Sequence, residues 1–317
     1  MTTVLLPPRD VPLGGPRAML VRRSLPSRDV RTVGAWCFAD HIGPVDDGPG
    51  MHLPPHPHTG LQTVTWLLDG NVEHRDSVGS RWVVAPGELS LITAGRGIAH
   101  SEHSAEPAGR PRGRPGGRPG GPTGDQPERQ HGVQLWIALP DASRYGEPHA
   151  EHHRDLPRGT VGAASVTVLV GTPAGTDLRS PAAAYTPLIG MQVDLPDGDP
   201  VPVPLDPLFE HAVLPLDGEV VAAGTPVPRS ALLYLEPGRT SLSLTGPGRV
   251  LLLGGEPLAE ELVMWWNFVG RNHDEVEGFR RDWQEGRRFG EVDDPHPRLP
   301  APELPGVRLR SRPGRRR

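Results

Sequence analysis

Short apolar runs cut by turn residues recur along nearly the whole chain, and this punctuation leaves little room for long helices. LQTVTWLLDG, RWVVAPGELSLITAG and GVQLWIALP carry strand-like runs in the first half. VTVLVG, YTPLIGMQVDLP, EHAVLPLDGEVVAAG, SALLYLEPG and GRVLLLGGEP continue the pattern from about residue 161 to 256. The breaks at Asp69-Gly70, Val78-Gly79-Ser80 and Pro86-Gly87 are turn chemistry. Gly and Pro number 40 each among 317 residues, a large share for a globular chain. Such a sequence predicts an all-β fold with few helices.

One helix is expected after Pro257. Asn272 can cap it, and Glu275 stands three residues on, where a capping-box partner belongs. Val276, Phe279 and Trp283 fall on one apolar face for packing on a barrel. The segment 106–130 breaks the pattern: thirteen of its residues are Gly or Pro and five are Arg. Without a hydrophobic period it is expected to be a disordered insertion between two strands. The residues from about 293 to 317 are rich in Pro and Arg and read as a flexible tail. The expected domains are therefore 1–145, 146–292 with the closing helix, and the tail 293–317.

A net charge of -5 gives no reason to expect nucleic acid as a partner. Cys37 is the only cysteine, in the apolar run VGAWCFAD, and reads as an inert buried thiol. No secretory signal or membrane-length apolar run is visible, so a reduced, cytoplasmic setting is expected.

Seven of the fourteen histidines lie between positions 41 and 103. Two pairs stand out: His56 and His58 in HPHTG, then His100 and Glu102 in GRGIAHSEH. Side chains alternate faces along a strand, so each i, i+2 pair points to one side. If the two strands meet inside a barrel, three imidazoles and one carboxylate converge, a donor set that suits divalent first-row metals. His52 and His103 are both read as lying on the wrong parity, with His52 also placed before the double proline of HLPPHPH, so both are expected outside this set. His74 reads as a group supporting the site, as a substrate-facing residue, or as an exposed turn histidine. The second strand-rich stretch holds only His211, so a second barrel of similar design is expected to lack such a site.

HPHTGLQTVTWLLDG (56–70), HRDSVG (74–79), PGELSLITAGRGIAHSE (86–102) and GVQLWIALP (132–140) resemble the pirin family. LPSRDVRTVGAWCFADHIGP (25–44) is similar to the family's entry segment, and WWNFVGRNHDEV (265–276) with RRFGEV (287–292) to its closing segment. The resemblance implies a cupin-superfamily bicupin: two antiparallel β-barrels face to face, with one divalent metal in the N-terminal barrel only. It implies His56, His58, His100 and Glu102 as the ligands, usually of iron, Fe(II), although nickel, cobalt, manganese or copper suit the same donors. Other members read GFET where this chain reads GLQT, so Gln62 replaces a nearby acid.

Two functions compete on this reading. One is a dioxygenase of quercetin-like flavonols or related aromatic enols, with Glu102 as ligand and general base. Apolar walls from Thr63–Leu68 and Leu89–Ile92 would enclose the flat substrate. The other is a non-enzymatic, metal- and redox-sensing regulator that binds a protein partner.

Overall fold

The computed structural model describes residues 2–13, 19–45, 50–105 and 129–315. The Arg-rich insertion expected at 106–130 lies almost wholly outside the described residues. Strand dominates, as expected, and the single α-helix among the described residues is His273–Gln284. Two seven-stranded and two four-stranded antiparallel sheets make up two barrels, with a two-stranded ribbon beside them. The fold is a bicupin.

In the first barrel the larger sheet carries Trp36–Val45, Leu61–Asp69, Leu89–Thr93 and Gln130–Ala138 at its centre. The smaller sheet orders His52–His58, Ile98–Ser104, Val72–Asp76 and Arg81–Val84. The second barrel repeats the plan: its larger sheet centres on Leu188–Leu195, Glu210–Gly218 and Gly248–Gly255. The larger sheets pack on each other through Trp36, Val64, Trp66, Leu89, Leu214 and Leu251. Trp36 locks the interface: it is fully buried, and its indole N–H donates to the Ile189 and Gly254 carbonyls at 3.1 and 3.2 Å. Gly190 leaves room for its ring, since a Cβ there would stand 2.8 Å from Trp36 Cζ2.

Strand pairing crosses the division expected near residue 145. Thr3–Leu6 adds to the second barrel beside Leu232–Leu235, while His149–His153 adds to the first beside Leu89–Thr93. The helix is capped at Asn272, whose side chain accepts from the Glu275 amide at 2.9 Å. Glu275 departs from the capping box: it accepts from the Arg271 amide at 2.9 Å rather than from that of Asn272, and it pairs with Arg144 at 2.8 Å. Val276, Phe279 and Trp283 form the buried face, as the spacing predicts, and pack with Phe268 of the ribbon and Ala99 of the first barrel.

Within the described residues the tail makes specific contacts with the helix and with neighbouring strands. The Trp283 indole donates to the Leu299 carbonyl at 2.8 Å, Ala301 is buried, and Leu262 pairs with Arg312. Its arginines find specific partners: Arg298 stacks over Trp283 at 4.9 Å and Arg308 pairs with Asp274 at 2.8 Å. Composition alone misses this, because long guanidinium side chains cover apolar surface while staying hydrated.

Candidate metal centre

His56 and His58 sit on His52–His58, and His100 and Glu102 on the neighbouring antiparallel strand Ile98–Ser104. The register sets His100 opposite His56 and Ile98 opposite His58. Facing residues of an antiparallel pair stand about 5 Å apart at Cβ, so the two i, i+2 pairs meet on one face. Gly60 ends the His58 strand at φ 69°, where a side chain would also collide with the Val269 carbonyl. Only glycine fits that corner without strain.

His56, His58 and His100 are all buried, and each offers a nitrogen within 4.8 Å of the other two. Their rings lie 4.3 to 5.1 Å apart between centroids. The His56 Nδ1–H donates to the Pro54 carbonyl at 2.9 Å, which leaves Nε2 for a ligand. Neither ring nitrogen of His58 or His100 has a hydrogen-bond partner. Burial pushes both rings well below the usual histidine range, helped by neighbouring imidazoles, and burial also lowers His56. All three are thus neutral near pH 7, the form that donates a lone pair. Each unpaired buried nitrogen costs about 1–3 kcal/mol, and a group that accepts several lone pairs at once would satisfy one nitrogen of each ring. The residues present fit a divalent metal.

The structure brings three of the four predicted residues into this mutual distance. Glu102, 2% exposed and two residues beyond His100 on the same strand, falls outside it: its Oε1 accepts from Thr65 Oγ1 at 3.0 Å and its Oε2 from Gln134 Nε2 at 2.7 Å. Thr65 and Gln134 come from the opposite sheet of the barrel, and sequence reasoning missed both. The signal was available in strand parity, since Thr65 lies an even number of residues from Thr63 and Gln134 from Trp136, whose ring meets His58 edge-on at 5.2 Å.

His74 is buried, not an exposed turn residue. It faces Glu102 across the strand pair, and its ring lies 5.6 Å from that of His100. Its Nε2 donates to Asp76 at 2.9 Å and Trp82 stacks on it at 4.8 Å. Gln62 faces away from the cluster. Its amide donates to Thr93 Oγ1 at 3.0 Å and to the Ala183 carbonyl, in the second half of the chain, at 3.1 Å. The expected walls need the same correction: Val64, Trp66, Leu89 and Leu91 point into the interface between barrels. Of the expected wall residues Ile92 does line the barrel interior, together with Leu61 and with Phe38 and Trp136, which stack at 4.0 Å.

His52 and His103 turn to the outer face. Counted by twos from His56, His52 would face the histidine cluster. A register shift at Pro54-Pro55, where two residues oppose the single Ser101, reverses its side.

The sequence pattern of the Pirin family matches residues 18–137, and that of the pirin C-terminal cupin domain matches residues 190–290. A Pseudomonas aeruginosa protein, named provisionally as a quercetin 2,3-dioxygenase, is 42% identical over 303 residues, 94% of this chain and 89% of its own. The crystal structure of quercetin 2,3-dioxygenase from Acinetobacter baumannii superposes with a TM-score of 0.86 at 36% identity, covering 98% of this chain and 97% of the other. The bacterial pirin YhhW of Escherichia coli, solved in complex with nickel(II), shares the fold with a TM-score of 0.60 at 18% identity, over 81% of this chain and 100% of its own. On fold, sequence and coverage together, the chain belongs to the pirin family.

Proposed function

We propose that the protein is a metal-dependent dioxygenase of quercetin-like flavonols or related aromatic enols. The observation that carries this reading is the buried cluster of His56, His58 and His100, with four ring nitrogens lacking partners and Glu102 two residues beyond His100 on the same strand. Likeness to proteins named as quercetin 2,3-dioxygenases supports the same substrate class.

In this reading the three histidines and Glu102 hold the metal, with iron as Fe(II) the first candidate and nickel a second. When bound, the metal supplies a Lewis acid for an enolate oxygen and a redox partner for oxygen. The chain's own residues do the rest. Thr65 and Gln134 fix the Glu102 carboxylate at both oxygens. Glu102 takes the proton of the substrate hydroxyl as general base. The stacked Phe38 and Trp136 rings offer a flat apolar flank, and burial of the site excludes bulk water.

The test is to load purified protein with iron and follow quercetin absorbance with and without oxygen. The reading predicts oxygen-dependent loss of quercetin that disappears in a His58→Ala variant. Iron-loaded protein that leaves quercetin untouched would sink it, and would turn attention to a regulator that binds a protein partner.

A further inference from the structure

A second histidine cluster lies on the outer face of the strand that carries His100 and Glu102. His52 and His103 are paired across the strands, and His296 reaches them from the C-terminal tail. Each of the three offers a nitrogen within 4.8 Å of the other two. The ring centroids of His52 stand 4.7 Å from those of His103 and 4.5 Å from those of His296.

One carboxylate organises the group. The Asp294 side chain is fully buried; it accepts from His103 Nε2 at 2.8 Å and from His296 Nδ1 at 2.9 Å. Its Oδ1 also takes the His296 amide at 2.8 Å. A neutral imidazole that donates from one nitrogen presents a lone pair at the other. Asp294 therefore aims His103 Nδ1 and His296 Nε2 as acceptors. A carboxylate behind an imidazole is the usual support for a metal-binding histidine, since it fixes the tautomer and strengthens the ligand. His52 completes the set: its Nδ1 lies 2.9 Å from His103 Nδ1, so one proton sits between two nitrogens. Moving that proton to His52 Nε2 frees both for a cation.

We infer that His52, His103 and His296, braced by Asp294, form a second divalent transition-metal site on the outer face of the first barrel. Imidazole donors without thiolate or carboxylate in the set favour zinc, nickel or copper. Three ligands leave a position open to solvent. Nitrogens on one tetrahedral zinc stand about 3.3 Å apart for bonds of roughly 2.0–2.1 Å, so the cluster must close slightly. Its two exposed members, His52 and His296, are free to do so. The ion would clip the tail to the barrel where the Leu299 amide already donates to the Pro55 carbonyl at 2.8 Å. This inference does not depend on the dioxygenase reading.

The test titrates untagged, metal-stripped full-length protein with Zn²⁺ and counts bound metal by mass spectrometry and calorimetry. The inference predicts two equivalents for the wild type and one for His58→Ala. It predicts one for His296→Ala and for His52→Ala, neither of which alters the buried cluster. Asp294→Asn should weaken the second equivalent by tenfold or more. Zinc should also protect the tail from limited proteolysis in the wild type and not in His296→Ala. A wild type that binds one equivalent, or a second equivalent that survives both His52→Ala and His296→Ala, overturns the inference.

Discussion

His100 is fully buried, and both of its ring nitrogens lack partners. In metal-free protein each such nitrogen costs about 1–3 kcal/mol. His100→Leu removes two of them and puts an apolar group in their place. The change of shape returns about 1–2 kcal/mol of packing cost. Metal-free His100→Leu should therefore be more stable than metal-free wild type by up to about 5 kcal/mol, a gain of about 2–6 less a cost of about 1–2, which at about 2.1 cal/mol/K per residue raises the Tm of a 317-residue chain by up to roughly 7 °C. Metal reverses the order. A ligand at a thousand times its dissociation constant stabilises the folded state by about 4.1 kcal/mol. The wild type gains this at the buried cluster and the variant, lacking one ligand there, does not. The assay is paired calorimetric or urea unfolding of both proteins, stripped by chelator and then loaded with Fe²⁺ or Ni²⁺. A metal-free variant less stable than metal-free wild type would refute the reasoning, because His100 would then be serving the fold rather than an ion.

Glu102→Gln keeps a side chain of the same shape but removes the base, so the oxygenase rate should fall by about 10²–10⁴-fold; a variant with bound metal and full rate refutes the base role. Stability of metal-free protein should fall as pH drops from about 6.5 toward 4.5. Burial lowers His41 to about 3 and His211 to about 4, and it also lowers His56, His58 and His100. These rings stay neutral when folded and bind protons when unfolded, so their contribution is complete above the unfolded value and lost on acidification. Urea midpoints that stay flat across that window would contradict this. Cys37 is fully buried, and burial pushes its thiol up to about 12. A thiol reagent at mildly alkaline pH should leave the folded protein unlabelled and label it at once in guanidinium, and fast labelling of the folded state would show the strand to be open.

Much of the site was legible because strands alternate. The i, i+2 spacing of His56 with His58 placed those imidazoles on one face, and the register of His100 with His56 brought in the third. The double proline was visible too, but not that it bulges the strand and sends His52 outward. The wall residues were harder to assign. Leu61–Asp69 and Leu89–Thr93 are buried on both faces, one in the barrel and one in the barrel interface. A doubly buried strand shows no alternation of polar and apolar residues, so the sequence cannot say which side is which. The same blindness hid Gln62, which meets Ala183 across the interface rather than the histidines. The tail's contacts were illegible for another reason. Its Pro- and Arg-rich composition suggests flexibility, while Trp283 meets Leu299 and Arg298 and Asp274 meets Arg308 across sequence distances that no local pattern reveals.

The account stands on where the metal binds. Crystals of iron- or nickel-loaded protein, measured at the metal's absorption edge, locate it directly by anomalous scattering. The account predicts a peak in the first barrel about 2.0–2.2 Å from a nitrogen of each of His56, His58 and His100 and from a Glu102 oxygen. The second barrel should show none. A loaded protein with no density among those three histidines, or with its metal bound around His211 instead, would contradict it.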